Sequence, residues 1–253
     1  MSAVATGNPA ITVVALHGNG GGAFRFARVK PFVPDGVDFL AVTLPGFADV
    51  PRDPSLETLA DYADRLRAVI PGGPHPVVML GHGIGGSIAL EFVQRHPDAI
   101  DGLILHAPVG ARLDSRRFPK LMKPRPVREL VKLVISSKPT RPLMKRLLFD
   151  GPVPDWYADR FFEEYRSCTA FSQMFDLITA AWFRNLEPVR LPAVLLWGAN
   201  ERILDVEQAR DYESLLPDAE KRLVPGWDHF PMIEQPEEYA REISALARKL
   251  VSR

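Results

Sequence analysis

The sequence predicts an α/β protein with a doubly wound, mainly parallel sheet and a helical cap inserted after the fourth strand. Three observations carry that prediction. Short, almost wholly apolar runs alternate with helical segments, the pattern of strands covered on both faces. One such run, Pro76-Val77-Val78-Met79-Leu80, enters a tight turn, Gly81-His82-Gly83-Ile84-Gly85-Gly86, and leaves as a helix through Ser87 to Val93. Between Arg112 and Leu186 the strand pattern stops, and prolines punctuate amphipathic patches. The expected layout is residues 1–111 as the first part of the core, 112–186 as the cap (basic over 112–149), and 187–253 as the second part of the core.

The elements follow in order. Ile11 to Leu16 reads as a buried strand ending in the loop His17-Gly18-Asn19-Gly20-Gly21-Gly22. Residues 24–32 read as helical. Val37 to Thr43 is a second strand, closed by Leu44-Pro45-Gly46-Phe47. Ser55 is the expected N-cap of a helix burying Leu56, Leu59, Ala60, Ala63, Leu66 and Ile70, stopped by Pro71-Gly72-Gly73-Pro74. After the glycine turn and its helix, Gly102 to His106 is the fourth strand. In the cap, Val127 to Ile135 is amphipathic. Ala193 to Trp197 and Lys221 to Val224 complete the strands, with helices at Val206 to Leu216 and Glu237 to Val251.

Composition narrows the class. A chain of 253 residues, 46% hydrophobic and 25% charged, buries a substantial core without disulfides or metals. The single Cys168 has no internal partner and points to a reducing compartment. Met1 to Pro9 lacks the basic start and apolar run of a signal peptide, and no apolar stretch reaches the ~18–20 residues of a membrane span. A cytoplasmic protein without a membrane partner is expected. No His/Cys/Asp/Glu set has metal-ligand spacing. Charge is zero overall but uneven: Arg112 to Arg146 holds twelve Lys or Arg against two acids. That surplus is either a solvated helical face or a positive field for an anionic substrate or an acidic partner. Nucleic acid is not expected, because aromatic residues are not interleaved with the basic ones.

Together, Leu16-His17-Gly18, Leu44-Pro45-Gly46-Phe47, Gly81-His82-Gly83-Ile84-Gly85-Gly86, Leu196-Trp197-Gly198 and Gly226-Trp227-Asp228-His229-Phe230-Pro231 resemble the α/β-hydrolase family over nearly the whole chain. The resemblance implies a site between cap and sheet, at the carboxyl ends of the strands. It also implies a nucleophile, an acid and a histidine in that chain order. The nucleophile position maps to Gly83, so a frame of the Gly-x-Ser-x-Gly type is present with its serine replaced by glycine. The acid maps to Glu201, with Asp205 a second candidate, and the histidine maps to His229. Asp228 reads as a solvated neighbour. The oxyanion hole maps to the backbone N–H groups of Ile84 and Asn19, with Gly20 next to the latter. His17, Gly18, His82 and Trp182 are expected around the substrate, His17 also bracing its loop. Ser87 and Cys168 are formal replacements for the nucleophile, but Ser87 is expected to face the sheet packing and Cys168 to pack the cap.

Glycine takes positive φ freely, so the turn at Gly83 is expected to relax. Without an attacking atom there is no acyl-enzyme, while a base, an orienting acid and oxyanion donors remain. That set suits proton abstraction beside a carbonyl. The leading expectation is a lyase or isomerase, for example eliminating a carboxylate leaving group, working without a cofactor. Its substrate is expected to be small and anionic, a secondary metabolite or one carried on an acidic carrier protein or coenzyme A. The alternatives are an ester or C–C hydrolase, through water activated by His229 or through an engineered Ser→Gly change at position 83, and a non-catalytic binding protein.

Overall fold

The computed structural model describes residues 11–252. The expectation that Met1 to Pro9 is no signal peptide lies outside them. Six strands form one sheet, parallel throughout, in the order β2-β1-β3-β4-β5-β6. They are β1 (Ile11–Leu16), β2 (Val37–Val42), β3 (Val77–His82), β4 (Gly102–His106), β5 (Ala193–Gly198) and β6 (Glu220–Val224). In β1, β3, β4 and β5 every residue is buried, as strands covered on both faces require. The edge strands β2 and β6 carry exposed residues.

The helices of the core are α1 (Leu59–Arg67) and α2 (Ile84–Arg95). Between β4 and β5 come six more: α3 (Arg117–Leu121), α4 (Arg125–Ser136), α5 (Arg141–Leu148), α6 (Asp155–Ser167), α7 (Phe171–Leu177) and α8 (Ala180–Arg184). The chain closes with α9 (Ala209–Glu213), α10 (Pro231–Glu234) and α11 (Pro236–Val251). α11 packs along β1, β3 and β4, burying Tyr239, Ile243, Ala247 and Leu250 on one stripe.

Three local expectations are corrected. Residues 24–32 form two 3₁₀ turns, Ala23–Phe26 and Lys30–Phe32, since Pro31 lacks the N–H a continuing helix needs. The first core helix starts at Leu59, capped by Thr58, whose hydroxyl accepts from the Asp61 N–H at 3.1 Å while Asp61 reaches back to the Thr58 N–H at 2.7 Å. Ser55 instead donates to Asp53 in the turn before it, and Tyr62 joins the buried stripe. The segment from Val206 is a 3₁₀ turn, Val206–Gln208, followed by the short α9.

The strand order places the site. The chain runs from β1 outward to β2 and returns to β3 on the other side of β1. The loops after β1 and β3 therefore face each other across the point where the direction of winding reverses, where open parallel sheets bind ligands. Gly85 makes this approach possible, since a Cβ there would lie 2.6 Å from the Leu16 carbonyl oxygen. A Cβ on Gly81 would meet the backbone of Gly85 and Gly86 at the same distance.

Candidate active site

Gly83 forms the turn between β3 and α2 with φ +57° and ψ −119°, a backbone that L-residues rarely adopt. Glycine has not relaxed it. The Gly83 N–H donates to the His106 carbonyl at 3.1 Å, and the Gly83 carbonyl accepts from Val109 and Gly86 at 3.0 and 3.1 Å. The flanking strand, helix and loop hold the turn, so its shape does not depend on the residue in it. A Cβ at this position would meet only the Gly18 Cα, at 3.4 Å.

His229 lies in the loop between β6 and α10 and borders a cavity of ≈ 990 Å³. Its Nδ1 is 2.7 Å from Glu201 Oε2, and both side chains are buried. Glu201 Oε1 accepts from the backbone N–H groups of Ile203 and Leu204 at 2.7 and 3.0 Å. Burial alone would raise the Glu201 carboxyl. The His229 imidazole and those two N–H groups outweigh it and hold the carboxyl below its ordinary range. Glu201 thus stays ionised, fixes the ring with Nδ1 protonated, and leaves Nε2 without a partner among the described residues. Such an imidazole can take a proton at Nε2.

Asp205 is not at this site. It caps the 3₁₀ turn Val206–Gln208, accepting from the Glu207 N–H at 2.9 Å. Asp228, expected to be solvated, is buried and paired with Arg202. Gly18, Asn19, His82, Gly83, Ile84 and His229 all line the cavity. No acceptor among the described residues takes the backbone N–H of Asn19 or Ile84. His82 presents its Nε2 to the His229 carbonyl at 3.0 Å, tying the residue before Gly83 to the histidine's own backbone. Burial drives the His82 ring well below ordinary histidine, with the neighbouring His229 and His106 adding to it, so it is a neutral donor.

Two residues expected around the substrate are elsewhere. His17 is fully buried off the cavity wall, with Nδ1 2.9 Å from the Gly18 carbonyl and Nε2 accepting the Leu44 N–H at 3.2 Å. Trp182 packs against Gly110, and its indole N–H donates to Glu91 at 2.8 Å. Ser87 is buried and donates to the Val109 carbonyl at 2.6 Å. Cys168 is buried, does not line the cavity, and its thiol is pushed up to about 11 by burial.

The support beneath Asn19 was not legible in the sequence. Arg25 is buried, lies 3.3 Å from Glu164 of α6, and donates to the Gly20 and Phe161 carbonyls. Its guanidinium stacks on Phe161. Gly20, at φ +78°, passes under Tyr165, where a Cβ would come within 2.3 Å of the ring. Arg25 and Glu164 stand far apart in the chain, and neither carries a local motif.

The rest of the cavity wall is mostly apolar. Leu113, Val131, Met144, Phe171, Met174 and Phe175 represent it, drawn from α4, α5 and α7 and the loop after β4. Five of the twelve cations in residues 112–146 pair with acids from outside that segment. Arg112 pairs with Asp211 and Glu207, Arg125 and Arg128 with Asp176, Arg141 with Asp159, and Lys145 with Asp155. No group of three or more His, Cys, Asp or Glu arranged to hold a metal occurs among the described residues.

A family profile described as "Alpha/beta hydrolase family" matches residues 13–242. The chain belongs to the alpha/beta hydrolase family. Among its relatives within that family is the pimeloyl-[acyl-carrier protein] methyl ester esterase of Aromatoleum aromaticum, 25% identical over 93% of this chain and 98% of that one. Another is the 2-hydroxy-6-oxo-6-(2'-aminophenyl)hexa-2,4-dienoic acid hydrolase of Metapseudomonas resinovorans, 22% identical over 94% of this chain and 84% of that one. Among solved alpha/beta hydrolase structures, a serine-to-glycine mutant of the N-acyl homoserine lactonase AidH, complexed with N-hexanoyl homoserine lactone, superposes with a TM-score of 0.71. It is 16% identical, covering 96% of this chain and 91% of that one.

Proposed function

We propose that this alpha/beta hydrolase is a general-base enzyme that forms no acyl-enzyme and acts on a carbonyl compound with a bulky apolar body. The observation that carries the reading is the pairing of His229 with Glu201 at 2.7 Å beside a turn residue, Gly83, that offers no attacking atom. Gly83 stands at the nucleophile's position. His229 Nε2 removes a proton from the carbon next to the substrate carbonyl. The Ile84 and Asn19 N–H groups hold the enolate oxygen that forms. Collapse of the enolate expels a carboxylate from the β-carbon, or reprotonation elsewhere isomerises the substrate. His229⁺ returns its proton to product or solvent, and Glu201 stabilises the imidazolium meanwhile.

The lining argues for an apolar substrate body; an anionic group, if the substrate carries one, fits Arg116 or Lys123 at the wall. A second reading has its own support. A Cβ on Gly83 would touch only Gly18, which leaves room for a water beside His229. The named relatives are an esterase and a hydrolase. In that reading His229 activates the water for direct ester or C–C hydrolysis.

A panel of medium-chain acyl compounds, some plain esters and some with a β-acyloxy group, separates the two in D₂O and ¹⁸O-water. The lyase or isomerase reading expects an unsaturated product from the β-acyloxy compounds with no ¹⁸O in the expelled carboxylate, deuterium at the reprotonated carbon of compounds that lack the leaving group, and loss of both in His229→Ala. Turnover that survives His229→Ala overturns both readings, and ¹⁸O in the product selects the hydrolase.

A further inference from the structure

The helices around the cavity mouth turn apolar side chains outward. On α4 the buried residues are Arg128 and Ser136, while Leu130, Leu133 and Val134 are exposed. Arg128 fixes that orientation: it donates to the Met122, Lys123 and Ser172 carbonyls and pairs with Asp176. Val127, Val131 and Ile135 pack inward beside Arg128, so Leu130, Leu133 and Val134 form a second apolar stripe that the fold leaves facing out. α5 buries no residue, and its Leu143 and Leu147, one turn apart, are each 57% exposed. Phe118 and Leu121 of α3 are 52% and 59% exposed. Phe118, Leu130 and Leu147 also line the cavity, so the three apolar stripes converge on one rim. A patch of this kind marks an interaction surface.

Cations flank it. Arg117, Lys120, Lys123, Lys138 and Arg146 are exposed, and none forms a salt bridge among the described residues. Across residues 115–148 the only acid is Glu129, which accepts from the Ser172 hydroxyl. We propose that this face docks on an anionic lipid–water interface, with the cavity mouth against the bilayer, so that an apolar substrate passes from the lipid into the site.

Charge selects the occupant. A second copy of the chain would set these cations against their own kind. An acidic protein would meet the cations but leave the five leucines and Phe118 between them without apolar cover. Leucines inserted at the headgroup boundary with Lys and Arg on either side satisfy both features. No helix of the described residues is long and apolar enough to cross a membrane, and surface docking requires none. Surface docking departs from the sequence expectation of no membrane partner, and it is compatible with either reaction above.

Co-sedimentation with phosphatidylcholine vesicles and with 7:3 phosphatidylcholine:phosphatidylglycerol vesicles tests it. The expected result is binding to the anionic vesicles that weakens as salt rises. The double substitution Leu133→Asp/Leu143→Asp, at exposed positions that do not line the cavity, should lower binding about tenfold or more. Lys138→Glu/Arg146→Glu should lower it about fivefold for each cation removed, while near-ultraviolet circular dichroism stays unchanged in both variants. Vesicle binding that is absent, or that neither pair of substitutions alters, overturns the proposal. So does a solution dimer that Leu133→Asp/Leu143→Asp dissolves, or retention of an acidic carrier protein in place of vesicles.

Discussion

Glu201 Oε2 lies 2.7 Å from His229 Nδ1, and two backbone N–H groups of the turn after it, those of Ile203 and Leu204, converge on its other oxygen. The carboxylate is therefore held on both sides. Glu201→Gln keeps the shape but removes the charge that stabilises an imidazolium. Any turnover that depends on His229 should fall by about 10²–10⁴ in kcat, with a much smaller change in KM. Steady-state kinetics on the first substrate found measures this. A KM effect alone would make Glu201 a packing residue.

The same carboxyl makes acid a stress. Its folded value is depressed, so its contribution to stability is present above the ordinary glutamate value and is lost as pH falls through the lower, folded one.

Buried histidines start the loss earlier. Burial lowers His17 to about 4 and His106 to about 3. Above pH 6.5 neither the folded nor the unfolded chain protonates them. Between 6.5 and those values the unfolded chain takes protons that the folded one refuses, so stability declines by up to about 1.4 kcal/mol per pH unit for each ring. Urea midpoints should hold level from pH 8 to about 6.5 and then fall steadily towards pH 4. A flat profile would mean that these rings are not neutral in the fold.

The glycines of the turn should separate by function. Gly81→Ala and Gly85→Ala place a Cβ 2.6 Å from backbone and should each cost about 3 kcal/mol or more, beyond ordinary overpacking. Gly83→Ala meets no obstacle nearer than 3.4 Å and should cost only the backbone strain, about 1–3 kcal/mol. Denaturation of the three variants gives the order.

Sheet, elbow and final histidine were legible in the sequence because each is a local pattern. β1 and β4 coincide with their apolar runs, and α2 extends its expected span by three residues at the start and two at the end. What the sequence did not carry was long-range. Nothing near Arg25 announces Glu164, and nothing near Arg202 announces that Asp228 is buried beside it. The amphipathic pattern of α4 was visible, but its orientation was not. Arg128 decides which stripe of α4 faces inward, and its partner Asp176 comes from α7.

The Arg25–Glu164 pair offers a test of the loop that presents Asn19. Arg25→Met alone strands a buried carboxylate and should cost about 3–5 kcal/mol. Adding Glu164→Leu should recover most of that stability. Thermal unfolding of the two variants decides it, and a double variant no better than the single one would assign the loss to the carbonyl contacts of Arg25.

In the proposed function, base, acid and oxyanion donors surround a turn residue, Gly83, that carries no nucleophile. Intact-mass measurement after treatment with a fluorophosphonate tests it most directly, because it needs no substrate. The native chain should gain no adduct. Gly83→Ser should gain one, at residue 83, and should lose it when His229→Ala or Glu201→Gln is added. An adduct on the native chain, or an unreactive but folded Gly83→Ser, would contradict the account.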